Sequence, residues 1–99
     1  MTEEQKVQKK ILDHLNSLDN CKAIKIVLAN EAGTPDIFCV WRGNAILIEV
    51  KASEEDALKS MKRQPIQQVR QQEWVTAGAY AITAWDWDQV DSLLGSIRL

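Results

Sequence analysis

Residues 45–51, Ala-Ile-Leu-Ile-Glu-Val-Lys, constrain this chain more than any other segment. Strand side chains alternate between faces, and this run is apolar on both, as a central strand requires. The same alternation makes Glu49 and Lys51 point one way while Ile48 and Val50 point the other. A carboxylate and an ammonium therefore stand together at the end of an otherwise apolar strand. Ionised groups there are costly unless they pair or bind a metal.

The rest of the chain arranges itself around that run. Thr2 and Gln5 have capping-box spacing, and Val7, Ile11, Leu15 and Leu18 then recur at helical intervals. This predicts an amphipathic helix ending near Asp19–Asn20. Residues 22–29, rich in Ile, Val and Leu, read as a first strand, and Gly33 and Pro35 break the loop that follows. Residues 36–41 read as a second strand, joined through Arg42-Gly43-Asn44 to the third over 45–51, an antiparallel hairpin. Residues 54–61 suit either a short helix or an ordered loop. Pro65 opens a firmer helix to about Ala77, stopped by Gly78. A fourth strand over 79–84 and a last helix over 87–94, with Asp86 as cap, complete the order α-β-β-β-α-β-α. The expected fold is α/β: a mixed, mostly antiparallel sheet flanked by helices.

Ninety-nine residues suit one domain, read as spanning 1–99, with one modest core. No apolar run nears the roughly 20 residues of a membrane span, and the polar opening Met1–Lys10 is unlike a signal peptide. A soluble, cytoplasmic protein is expected. Cys21 and Cys39 lack metal-site spacing and read as small buried hydrophobes in a reducing compartment.

Net charge is −2, which is not the sum expected of a nucleic-acid binder. The distribution is more informative. Residues 57–72 carry Lys59, Lys62, Arg63 and Arg70 and no acid. Following the third strand directly, they suit contacts to DNA phosphates as well as a plain solvated face. Lys6 and Lys10 on the first helix could extend that surface.

Asp36 opens the strand that pairs with residues 45–51. Counting back through the turn at Gly43–Asn44 brings Asp36 opposite 49–51. Two carboxylates meeting there form a hard-oxygen site for Mg²⁺ or Mn²⁺, with Lys51 beside it to orient water or stabilise phosphorane charge. The plain alternative is a surface ion pair between Glu49 and Lys51 on an edge strand.

Pro35-Asp36, twelve residues, then Glu49-Val50-Lys51 resembles the PD-(D/E)xK nuclease motif. The Gly33-Thr34-Pro35-Asp36 loop, the Ile-Glu-Val-Lys-Ala strand and the Gln-rich helix ending at Ala77-Gly78-Ala79 resemble the VRR-NUC domain, over about Glu4 to Leu94. That resemblance implies a restriction-endonuclease-like core in its stand-alone phage or bacterial form, related to Holliday-junction resolvases. It implies metal binding by Asp36, Glu49 and the Val50 carbonyl, with Lys51 catalytic. The first-helix glutamate of the family falls at Glu4, with Glu3 as fallback, and its glutamine falls at Gln67, with Gln68 adjacent. The implied activity is endonucleolytic cleavage of branched DNA without an organic cofactor. A resolvase makes paired cuts, so a homodimer is expected. The alternatives are an inactive nuclease-fold DNA-binding module and a sheet-mediated dimer scaffold.

His14 reads as a packing or edge residue of the first helix. Trp74 is expected on the core side of its helix, while Trp85 and Trp87 are expected to be partly exposed and suited to an interface.

Overall fold

The computed structural model describes residues 1–99. Thr2 and Gln5 exchange reciprocal cap hydrogen bonds, and α1 (Glu3–Ser17) follows. Three strands come next: β1 (Cys21–Lys25), β2 (Ile37–Trp41) and β3 (Asn44–Val50). The hairpin between β2 and β3 turns on Arg42 and Gly43, both at positive φ, the backbone that a two-residue turn demands. Helices α2 (Glu54–Arg63) and α3 (Pro65–Thr76) lead to β4 (Tyr80–Ala84) and α4 (Trp87–Ser96).

The four strands lie in sequence order, β1-β2-β3-β4. The first two pairings are antiparallel and β3–β4 is parallel, so the sheet is mixed and mostly antiparallel as expected. The segment left open between helix and loop is helix α2, capped by the Ser53 hydroxyl on the Asp56 N–H. The order is therefore α-β-β-β-α-α-β-α, one helix more than expected.

The first strand is shorter than the apolar run predicted. Ile26 N–H donates to Asp36 O at 2.7 Å, and no strand continues beyond it. Pro35 follows on the partner side without an N–H to give, so residues 27–29 have no ladder to join. Val27 and Leu28 are accordingly exposed.

One face of the sheet carries the core. Ile46, Ile48 and Val50 of β3 meet Ile37 and Cys39 of β2, Ile11 and Leu15 of α1, and Val90 and Leu94 of α4. Full burial of each aliphatic side chain is worth roughly 1.5–3 kcal/mol, so this face anchors the fold. The opposite face carries Leu47 and Glu49, and there α2 and α3 pack on β3 and β4. Ile24 and Val40 stay exposed on β1 and β2. No helix is long and apolar enough to cross a membrane.

Candidate active site

Asp36 sits where β2 begins. Its N–H donates to Ile48 O at 3.0 Å, although Ile48 is the register partner of Ile37. The chain is thus slipped by one residue at Asp36, the kind of irregularity that re-aims a side chain at a sheet end. The Asp36 carboxylate turns towards β3, where Oδ2 accepts the Val50 N–H at 2.8 Å. The side chain replaces a backbone acceptor, which fixes its position.

Glu49 stands beside it on β3. It is only 4% exposed, the one buried charged residue of the chain. Its Oε2 is buried without a hydrogen-bond partner, and Lys51 Nζ lies 3.8 Å from Oε1, too far for a hydrogen bond. Both side chains are nearly enclosed, so this is not a surface pair on an edge strand. Burial pushes the Glu49 carboxyl up to about 9, aided by hydrogen bonding and charge from Asp36 and by Glu4, with Lys51 opposing. A carboxyl raised by burial and a neighbouring carboxylate marks a site that prefers a cation or a proton between the two. Asp36 and Glu49 are the oxygen donors a hard divalent cation takes. No third Asp, Glu, His or Cys is close enough to make a three-ligand cluster.

Glu4 is exposed on the first turn of α1. It lines a groove of about 440 Å³ with Glu3, Lys51, Asp56, Lys59 and Arg63, so it shares the approach to Lys51. Gln67 is half-buried and accepts the Ser60 hydroxyl at 3.0 Å. With Lys51 and Thr83 it lines a cavity of about 10 Å³, close to the least that holds one water. Gln68 reaches the same cavity but is exposed, its amide donating to Met61 O at 3.1 Å. Sequence reading missed Gln71, also in the cavity wall, which donates to Thr83 Oγ1 at 2.9 Å. Thr83 is the register partner of Glu49. The usable signal was spacing, because residues 67 and 71 share a helix face.

The cationic candidates divide. Lys62, Arg63 and Lys10 are exposed. Lys6 pairs with Glu3, and Lys59 with Glu55, each at 3.0 Å on exposed helix surface. Arg70 is engaged within the fold: Nε donates to Ala32 O at 3.0 Å and Nη1 to Glu73 at 2.9 Å, with Glu31 at 3.6 Å. Trp74 follows Gln67 by seven residues and Gln71 by three, which puts it on the same inward face of α3, but that face is incompletely covered and Trp74 is 38% exposed. His14 stacks on Trp87 with ring centroids 3.6 Å apart, the edge-packing role expected of it. Cys39 is buried and Cys21 half-buried, and burial raises both thiols, so neither is a ready nucleophile.

No family model matches the sequence, and no curated protein matches it. A solved structure described as a "VRR_NUC domain" is similar across 99% of this chain and 100% of its own, at 25% identity and a TM-score of 0.78. The likeness therefore includes the sheet end that holds Asp36, Glu49 and Lys51. The chain has the architecture of that VRR_NUC domain, a nuclease-type fold.

Proposed function

We propose that this chain is a Mg²⁺- or Mn²⁺-dependent endodeoxyribonuclease that hydrolyses phosphodiester bonds in branched DNA such as Holliday junctions. The observation that carries the reading is the buried, unpartnered oxygen of Glu49 beside Asp36. Leaving a carboxylate so placed costs several kcal/mol unless a cation or proton satisfies it.

In this reading Asp36, Glu49 and the Val50 carbonyl would hold the cation, and Glu4 on α1 would add its negative charge to the site. When bound, the ion would supply Lewis-acid polarisation of the phosphate and would acidify a water. Lys51 orients that water and faces the charge developing on the phosphoryl oxygens. As the new P–O bond forms, the bond to the leaving sugar oxygen breaks. Gln67 fixes the water from the α3 side. Lys59, Lys62, Arg63, Lys6 and Lys10 contact phosphates, which position the duplex without reading sequence. Arg70, given its partners in the fold, supports the site from within. Two chains related by a two-fold axis would deliver the paired cuts a junction needs.

A cleavage assay tests this directly, on four-way junction, flap, splayed-arm and linear duplex DNA, with Mg²⁺ and then Mn²⁺. Cleavage by the native chain that is lost in Lys51→Ala supports the reading. Absence of cleavage on every substrate, with Lys51→Ala indistinguishable from the native chain, overturns it. Sedimentation as a monomer alone, free and DNA-bound, removes the dimer.

A further inference from the structure

Helix α3 faces the candidate site, yet it contributes no fully buried apolar side chain. None of its residues is fully buried, and Ile66, Val69, Trp74 and Val75 are exposed. It has no side-chain cap. Polar contacts do most of the docking: Gln71 on Thr83, Gln67 on Ser60, and Arg70 on the loop before Asp36. The Arg70 contact spans 38 residues of sequence and is the hydrogen bond that ties α3 to the Asp36 side of the sheet. Its guanidinium holds Ala32 O and Glu31 in that loop and Glu73 on its own helix, with the side chain 22% exposed. One residue on, Gly33 has φ +79°, and a Cβ there would lie 3.1 Å from the Ile66 backbone. The loop therefore presses against the first turn of α3 at a point where only glycine fits.

Asp36 needs no such help. Three hydrogen bonds already hold it, from Ile26 N–H, to Ile48 O and from Val50 N–H. The contact instead bears on α3, whose other anchors are glutamine side chains. We propose that Arg70 is a positioning residue: it latches α3 to residues 31–33 and so seats Gln67 and Gln71 against the cavity beside Lys51. The consequence for cleavage rests on the nuclease reading above. The consequence for α3 does not.

The test is hydrogen exchange by mass spectrometry on the native chain, Arg70→Ala and Arg70→Lys, with cleavage kinetics alongside. Arg70→Ala is expected to speed exchange across residues 65–76 while β2 and β3 keep their protection. It should lower kcat about tenfold to a hundredfold, the effect of a misplaced positioning group, with KM and Mn²⁺ affinity near native. Arg70→Lys, which keeps the charge and a donor, should restore part of both. Native exchange in α3 of Arg70→Ala overturns the latch, as does a rise spread evenly through β2 and β3. If Arg70→Ala does not fold, Glu31→Gln decides by the same pattern at smaller amplitude. A native chain that cuts no DNA defeats the nuclease reading, and the exchange data still decide the latch.

Discussion

The two faces of the sheet are built by different physics. On one, α1 contributes Ile11 and Leu15 and α4 contributes Val90 and Leu94, all packed on Ile46, Ile48 and Val50. On the other, α2 buries only Ala57 and α3 buries nothing fully. That second face holds Glu49, Lys51, Gln67 and Gln71, the residues with chemistry to offer. Stability and reactivity are thus divided across one layer of backbone. A buried carboxyl is affordable on the polar face because the apolar face stabilises the fold without it.

The sharpest test of this division is Asp36→Asn, which keeps an oxygen to accept the Val50 N–H. Cleavage is expected to fall about a thousandfold, matching several kcal/mol of lost transition-state stabilisation. The melting temperature should change little, because the apolar face is untouched. Equal losses of activity and stability would erase the division.

Ile48→Ala probes the other face of the same strand. Ile48 is 0% exposed within the core cluster. Truncation should cost about 3–4 kcal/mol by the cavity it leaves, read from the denaturant midpoint. A cost below about 1 kcal/mol would mean that the two faces share the stabilising role.

Glu49→Gln tests what the polar face costs. The folded Glu49 carboxyl titrates near 9, against about 4.3 when unfolded. Between those values the folded state binds more protons than the unfolded state, so metal-free stability falls as pH rises through that window. The penalty is absent below about 4.3 and complete above 9. Removing the titrating group should flatten that dependence and raise metal-free stability at pH 8. Mn²⁺ should raise the native melting point at pH 8 and leave Glu49→Gln nearly unmoved. A native chain whose metal-free stability is level from pH 5 to 8 contradicts the raised carboxyl.

The smallest effect is expected at α3. Val69 is 50% exposed there, so Val69→Ala should shift stability by less than about 0.5 kcal/mol. A loss above 1.5 kcal/mol would show apolar docking of α3 and weaken the contrast between faces.

Much of this arrangement was legible in the linear chain. The Thr2–Gln5 capping box, the apolar run of residues 45–51 and the convergence of Asp36 with Glu49 and Lys51 all follow from local rules. Caps act over three residues, strand alternation over two, and a tight hairpin sets its register by counting. The β1 boundary was not legible, because Val27 and Leu28 have strand-like side chains and fail only for lack of a partner beyond Pro35. Trp74 misled for a related reason: helical periodicity marks an apolar side, but the neighbours decide whether that side is covered.

Composition and spacing alone therefore specify an α/β chain with two carboxylates and a lysine at one strand end. Those properties depend on φ/ψ preference and side-chain period, which are local. Only the folded molecule puts Gln71 on the register partner of Glu49, sets Arg70 against Ala32, and leaves Glu49 Oε2 unpartnered. These features need segments 12 to 38 residues apart to close on one another. They depend on burial and distance, which exist only after the layers have packed.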